Sequence, residues 1–258
     1  MGVETVELIV VALFGLVLGS FLNVCILRLP ADQSLLAPPS TCPKCGKRIA
    51  WYDNIPVFSW LALRGRCRNC GAPISIQYPV IEALIGAIWL GAALAYGITV
   101  HAAQAGFLGT ILVGITVTDA RHYLIPDEFT WGGLIIGLAL SAGGGFEGLE
   151  TAVLGAAVGF VLLYAVARVG TWLFKEEAMG GGDIKMMAMV GAFVGWRGVL
   201  LTIFAGAALG TMIFVPPLLF TKKKKLVPFG VFLAVGAAVT FVLGDAIIGW
   251  YVHFLQGN

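Results

Sequence analysis

Long apolar runs separated by short polar stretches dominate this chain of 258 residues. A helix that spans a membrane needs about 20 apolar residues, and residues 8–27 form an uncharged run of that length. Residues 83–118 contain no Asp, Glu, Lys or Arg and are long enough for two spans. The pattern therefore predicts an all-α polytopic membrane protein with about eight transmembrane helices. The remaining predicted spans are residues 129–146, 151–174, the short segment 184–196, 199–220 and 229–254.

Basic side chains gather on one side of this predicted topology. Of the 16 Lys and Arg residues, only Arg197 falls on the opposite side. Because basic loops of membrane proteins stay in the cytoplasm, we predict that this side faces the cytoplasm and that both termini lie outside. Glu4 and Glu7 occupy positions where a cleaved signal peptide carries basic residues, so we expect the first span to be retained. The run Lys222–Lys225 is interpreted as an anchor at an anionic leaflet, with substrate binding as the alternative.

The composition agrees with lipid surroundings. The chain is 59% hydrophobic and 12% charged, whereas soluble domains are about half apolar and a quarter charged. Its 35 glycines are typical of helices that pack closely in a bilayer. A net charge of only +2 provides no basic surface for a polyanion. We therefore expect membrane lipid, and no nucleic acid, among its partners.

Four cysteines lie in the polar stretch after the first span. Cys42 and Cys45 form one C-x2-C pair, and Cys67 and Cys70 form a second pair after 21 intervening residues. Four thiolates complete a tetrahedral zinc shell with no open position, so such a zinc ion is structural. Two disulfides are the alternative, but the reducing cytoplasm favours metal. The predicted domains are a first transmembrane helix (1–29), a cytoplasmic zinc-binding loop (30–78) and a transmembrane helical bundle (79–258).

Two aspartates at span ends are candidate catalytic groups. Asp119 ends the third predicted span and Asp183 opens the sixth, and the topology places both at the same membrane edge. Two carboxylates held close together share a proton and can act as base and acid, as in aspartic proteases. Gly180, Gly181 and Gly182 leave the backbone before Asp183 bare, so that an extended peptide could approach it. Asp183 could instead be an ordinary acid in the first turn of a helix.

Other acids allow less specific interpretations. Asp127 follows a proline before a span, and Glu82 also lies near the start of a span, where each could stabilise a helix N-terminus. A membrane transporter or channel whose acidic residues bind cations is therefore an alternative function. Such a protein needs acids near the middle of the bilayer, whereas these gather at one edge. The chain has no HExxH or GxSxG motif, which argues against a metalloprotease or a serine hydrolase.

Several motifs, in order along the chain, resemble the type IV prepilin peptidase family, also called prepilin leader peptidase/N-methyltransferase. The sequence Gly180-Gly181-Gly182-Asp183 resembles the GxGD motif of membrane aspartyl proteases. Asp119 is followed a few residues later by Ile-Pro-Asp (125–127), which resembles the first catalytic motif of this family. The other matching stretches are GSFLNVCILRLP (19–30), CPKCG (42–46), FSWLALRGRCRNCG (58–71), ISIQYPVIE (74–82) and VPFGVFLA (227–234).

The resemblance implies an aspartic endopeptidase with Asp119 and Asp183 as its catalytic pair. It implies cleavage of the leader of a type IV prepilin or pseudopilin at the cytoplasmic membrane face. It also implies methylation of the new N-terminus with S-adenosylmethionine, and Gly65 matches a position that the family associates with methyl transfer. A presenilin-like or archaellin-type protease with other substrates is an alternative, against which the IPD sequence and the cysteine loop argue. The substrate-binding or supporting residues implied are Gly180, Gly181, Gly182, Asp127, Glu82, Pro228 and Gly230.

Overall fold

The computed structural model describes residues 4–220 and 227–256, except for the side chains of residues 146 and 215–220. The run Lys222–Lys225 lies outside these residues. Within the described part, helices account for the regular structure, and the only β pairing consists of two isolated bridges in the cysteine loop. The helices are α1 (Thr5–Arg28), α2 (Phe58–Ala62), α3 (Gln77–Tyr96), α4 (Val100–His122), α5 (Asp127–Ala142), α6 (Gly145–Phe174), α7 (Gly181–Phe220) and α8 (Phe229–Gln256).

Six of the described helices are long and apolar enough to cross a membrane, namely α1, α3, α4, α6, α7 and α8. The prediction of an all-α membrane protein is thereby confirmed. The predicted span 129–146 corresponds to α5, which has only 16 residues. The predicted sixth and seventh spans are joined in α7, whose helical path breaks at Gly195 (φ 67°, ψ 176°) without an intervening loop. A left-handed glycine bends the chain there at little conformational cost.

The chain forms two compact units, Met1–Thr110 and Ile111–Asn258, here called unit 1 and unit 2. In unit 1, α1 and α3 pack closely because glycines replace side chains at the contact. A Cβ atom at Gly19 would lie 2.7 Å from the Cα of Glu82, and one at Gly15 would lie 2.9 Å from the Cβ of Trp89. The three-part division into residues 1–29, 30–78 and 79–258 stays a prediction.

In unit 2, the first half of α7 lies at the centre of the packing. It contacts α5 and α6, and the second half contacts α8. The side chains of Met186, Met187 and Met189 are fully buried, and glycines again allow close contact: Gly155 of α6 lies directly against Gly191. The N-terminal end of α7 is therefore held by packing on several sides, which fixes the position of Asp183 in its first turn.

Candidate active site

Asp119 lies near the C-terminal end of α4 and is buried, with 6% of its surface exposed. Its Oδ2 atom accepts a hydrogen bond of 3.1 Å from the backbone N–H of Val231. Val231 is in the first turn of α8, where backbone N–H groups have no partner within the helix. Asp119 therefore caps α8 from a helix that is distant in sequence, and this bond fixes one oxygen of its carboxyl group.

Gly230 provides the space that this carboxyl group occupies. A Cβ atom there would lie 2.9 Å from Oδ2 of Asp119 and 2.7 Å from Cδ1 of Ile125. Both distances are shorter than ordinary carbon contacts. Pro228 comes just before α8, and its carbonyl accepts the N–H of Val231 at 3.3 Å. The predicted residues Pro228 and Gly230 thus belong to the segment that contacts Asp119.

Asp183 lies in the first turn of α7 and is partly buried. Its carboxyl group is close enough to that of Asp119 for the two charges to interact. Ile125, which is buried, packs against Gly182 on one side and Gly230 on the other: a Cβ atom at Gly182 would lie 3.0 Å from its Cβ. Unit 2 therefore brings together the two aspartates from helices that are 64 residues apart in sequence.

The glycines before Asp183 differ in their surroundings. A Cβ atom at Gly181 would meet no atom within 4 Å, and one at Gly180 would lie 3.6 Å from Oδ2 of Asp183. Gly180 and Gly181 are both exposed. The backbone beside Asp183 is thus open to an approaching chain.

Asp127 is the first residue of α5 and forms an ion pair with Lys185 of α7. The Nζ atom of Lys185 lies 2.7 Å from Oδ1 and 2.8 Å from Oδ2 of Asp127. The pair ties the start of α5 to the helix that carries Asp183. The sequence analysis did not identify Lys185 as part of this site. Its position at the start of a membrane helix was the available signal, because a charged side chain there needs a charged partner.

Glu82 belongs to unit 1 and supports the cysteine loop. It is buried, and its Oε2 atom accepts the N–H of Val57 at 2.7 Å. Ser20 of α1 lies on the wall of the same cavity as this carboxyl group. Val57 has a φ of 63°, which is strained for a β-branched residue. The carboxylate therefore helps to hold this turn against α1 and α3.

The four cysteines converge as the spacing predicted. Their sulfur atoms all lie within 4.8 Å of one another, and Sγ of Cys42 is 3.8 Å from Sγ of Cys70. A tetrahedral zinc ion with Zn–S bonds of about 2.3 Å separates its sulfur ligands by roughly 3.8 Å. No disulfide joins these four cysteines in this structure, and the arrangement of their sulfur atoms fits a zinc ion.

Each cysteine pair forms the same type of turn. The N–H of Gly46 donates to the carbonyl of Cys42, and the N–H of Gly71 donates to that of Cys67. Both glycines have φ near 70°, which is favourable only for glycine. The backbone N–H groups of Cys45 and Lys44 lower the pKa of the Cys42 thiol to about 6. A thiolate, the form that binds metal, is thus favoured at this position.

Gly65 has a packing role in this loop. Its φ is 67°, and a Cβ atom would lie 2.8 Å from Cζ2 of Trp60. Its N–H donates to the carbonyl of Trp60, and its own carbonyl accepts the N–H of Ile74. The indole N–H of Trp60 donates to the carbonyl of the same Ile74. Gly65 therefore sets the position of the Trp60 ring.

The comparisons with known proteins cover both units. The family model described as "Bacterial Peptidase A24 N-terminal domain" matches residues 13–96, and "Type IV leader peptidase family" matches residues 106–215. A prepilin leader peptidase/N-methyltransferase of Aeromonas hydrophila is 35% identical over 272 residues, covering 94% of this chain and 92% of the relative. The chain belongs to the type IV leader peptidase family. The segment of this chain that matches the second family model contains both Asp119 and Asp183.

Two further relatives have the same name. The protein of Burkholderia pseudomallei (strain 1026b) is 37% identical over 268 residues, covering 89% of this chain and 83% of the relative. That of Myxococcus xanthus (strain DK1622) is 42% identical over 209 residues, covering 81% of this chain but only 62% of the relative, which is less than two thirds of its length. No solved structure matches the chain.

Proposed function

We propose that this protein is a membrane aspartic endopeptidase that removes the leader of type IV prepilins or pseudopilins. The observation that carries the proposal is the juxtaposition of the Asp119 and Asp183 carboxyl groups, from two membrane helices of one compact unit. The family membership and the names of its relatives support this substrate class.

The two carboxyl groups take different roles in the proposed hydrolysis. A backbone donor such as the N–H of Val231 favours the ionised form of the acceptor, so Asp119 is assigned as the base and Asp183 as the acid. Water loses a proton to Asp119 as its oxygen attacks the scissile carbonyl carbon. The C–N bond then breaks, and Asp183 donates its proton to the leaving nitrogen.

The exposed backbone before Asp183 is the proposed approach of the substrate. Gly180 and Gly181 present main-chain groups without side chains, to which an extended peptide can hydrogen-bond. The ion pair between Asp127 and Lys185 is proposed to fix the position of α7. The space around the two acids is proposed to depend on Gly182, Pro228 and Gly230. None of these five residues is assigned a proton transfer.

The second proposed activity is methylation of the amine that cleavage exposes. S-adenosylmethionine supplies an electrophilic methyl group. The amine first loses a proton to solvent and then forms a C–N bond to the methyl carbon. The electron pair of the broken C–S bond stays on sulfur. Structural Zn²⁺, bound by Cys42, Cys45, Cys67 and Cys70, would hold the loop that accompanies this activity.

The proposed location is the bacterial inner membrane, with the aspartate pair and the cysteine loop facing the cytoplasm. The distribution of Lys and Arg along the sequence supports this orientation. Membrane lipid is then a permanent partner, and the low net charge of +2 supports no role in nucleic-acid binding.

Mass spectrometry of a co-expressed prepilin tests both activities separately. We expect loss of the leader and the added mass of one methyl group with the native enzyme. Asp119→Asn and Asp183→Asn should each abolish cleavage, because each removes one partner of the proton transfer. Both variants must still be found in the membrane fraction. Normal processing by either variant would refute its assigned role.

A further inference from the structure

Unit 1 contains a cavity of about 520 Å³ between α1, α3 and the cysteine loop. This volume is within the range of sites that bind small molecules. The cavity is lined by both polar and aromatic side chains. Those used below are Ser20, Val24, Trp60, Tyr78 and Glu82, with Lys44, Lys47 and Arg48 at exposed positions.

Glu82 is a buried carboxyl group on the wall of this cavity, with 7% of its surface exposed. Its hydrogen-bond donor, the N–H of Val57, is neutral, as is the nearby hydroxyl group of Ser20. Among the residues that the structure describes, no Lys or Arg forms an ion pair with it. Buried carboxylates normally have a cationic partner. A cationic group on a ligand would supply the missing counter-charge.

The other acid on the cavity wall is already neutralised. Asp53 accepts three hydrogen bonds from Arg68, which hold the pKa of this carboxyl group below its usual value. Lys44, Lys47 and Arg48 line the cavity as exposed residues and are therefore available to an anionic group. The cavity thus combines one buried acid with an exposed basic rim.

We infer that this cavity binds S-adenosylmethionine, with its sulfonium and ammonium groups towards Glu82 and its carboxylate at the basic rim. Trp60 and Tyr78 provide aromatic surfaces for the adenine ring and for the sulfonium cation. The inference rests on the proposed methyl transfer and assigns it a site. It also assigns a function to the packing of Gly65, which holds the Trp60 ring on the cavity wall.

The charge of the ligand provides a direct test. S-adenosylmethionine carries a sulfonium cation, whereas S-adenosylhomocysteine has a neutral thioether of nearly the same shape. Glu82→Gln should weaken binding of the sulfonium compound by about tenfold more than binding of the thioether, because the charge-assisted interaction is lost. Isothermal titration calorimetry on the full-length protein in detergent measures both affinities. Glu128→Gln, which changes an exposed glutamate of unit 2, is the matched control and should change neither.

A second pair of variants tests the cavity without changing charge. Val24→Phe places a larger side chain on the cavity wall and should weaken the binding of both compounds. Val10→Phe, at an exposed position of the same helix, should leave the binding of both unchanged. Equal loss of both ligands in Glu82→Gln, or unchanged binding in Val24→Phe, overturns the inference. If the native enzyme methylates prepilin while these variants bind normally, the site is wrong and the proposed function stands. If the native enzyme neither methylates nor binds either ligand, the methyl-transfer function itself fails.

Discussion

At the scale of single residues, the position of Asp119 depends on a glycine in another helix. Gly230 leaves room for the carboxyl group and lies next to the N–H of Val231 that hydrogen-bonds to it. A side chain at residue 230 would push against Asp119 and Ile125 together. The geometry of the proposed proton transfer is therefore set partly by α8.

We predict that Gly230→Ala lowers the rate of prepilin cleavage by at least about tenfold, because small displacements of a catalytic group have large effects on rate. The measurement is kcat with a purified prepilin in detergent. Gly249→Ala is the control on the same helix, since its Cβ atom would contact nothing within 4 Å. Equal activity of the two variants would contradict this account of Gly230.

The ion pair between Asp127 and Lys185 is partly exposed, with 57% and 35% of the two side chains accessible. Exposed pairs contribute at most about 1 kcal/mol to stability. Its effect should therefore be on the position of Asp183 and not on whether the protein folds.

We predict that Asp127→Lys and Lys185→Asp each reduce cleavage several-fold, because each places two like charges opposite one another. The double exchange should recover much of the lost activity, since the attraction is restored with reversed sign. Rates of the four proteins form a double-mutant cycle. Additive losses in the double variant would show that the two side chains do not act as a pair.

At the scale of secondary-structure elements, the cysteine loop joins the predicted zinc site to the membrane helix α3. The two turns that hold the cysteines contain left-handed glycines, and Val57 between them donates its N–H to Glu82 of α3. Loss of the metal would free the two turns from each other and remove the constraint on the loop.

We predict one zinc ion per chain, measured by elemental analysis of the purified protein. Cys42→Ser and Cys67→Ser should each reduce this content strongly, because three thiolates and a hydroxyl bind zinc less tightly than four thiolates. Cys25→Ser is the control, since Cys25 is buried in α1 and is not part of the sulfur cluster. Full zinc content in either loop variant would contradict the proposed site.

Much of the helical structure follows from the sequence, because uncharged runs of sufficient length have no other stable form in lipid. The boundaries are less predictable. The span expected from residue 83 begins at Gln77, since Pro79 is tolerated in the first turn of a helix. The break at Gly195 inside α7 could not be distinguished from a loop, because a glycine among apolar residues is equally compatible with a continuous helix.

The site was only partly visible in the sequence. Asp119, Asp183 and the four cysteines were predicted as site residues because charged or metal-binding residues near membrane spans require an explanation. The contacts of Ile125 and Val231 were not found, since an apolar side chain and a backbone N–H give no signal until the helices are packed. The partner of Asp127 was also missed, because Lys185 is distant in sequence.

At the scale of the whole molecule, the distribution of charge predicts the orientation in the membrane. Glu147 and Glu177 lie at opposite ends of the long helix α6 or just beyond it. The predicted topology places Glu147 on the periplasmic side of the membrane and Glu177 in the cytoplasm.

We predict that a cysteine introduced at position 177, in a variant that lacks native cysteines outside the zinc cluster, reacts with a membrane-impermeant maleimide only after the cells are opened. A cysteine at position 147 should react in intact cells, because the periplasm is accessible to the reagent. The same substitution at two sites provides the control. The opposite pattern of labelling would reverse the proposed orientation.

If the substrate approaches over the exposed glycines before Asp183, as proposed, these glycines also affect which proteins are selected. A surface without side chains offers only N–H and C=O groups, and these are common to every amino acid except for the missing N–H of proline. Such a surface cannot distinguish one residue from another at the cut. Discrimination between client proteins must then depend on features elsewhere in them, such as how far a flexible, extended segment emerges from the bilayer.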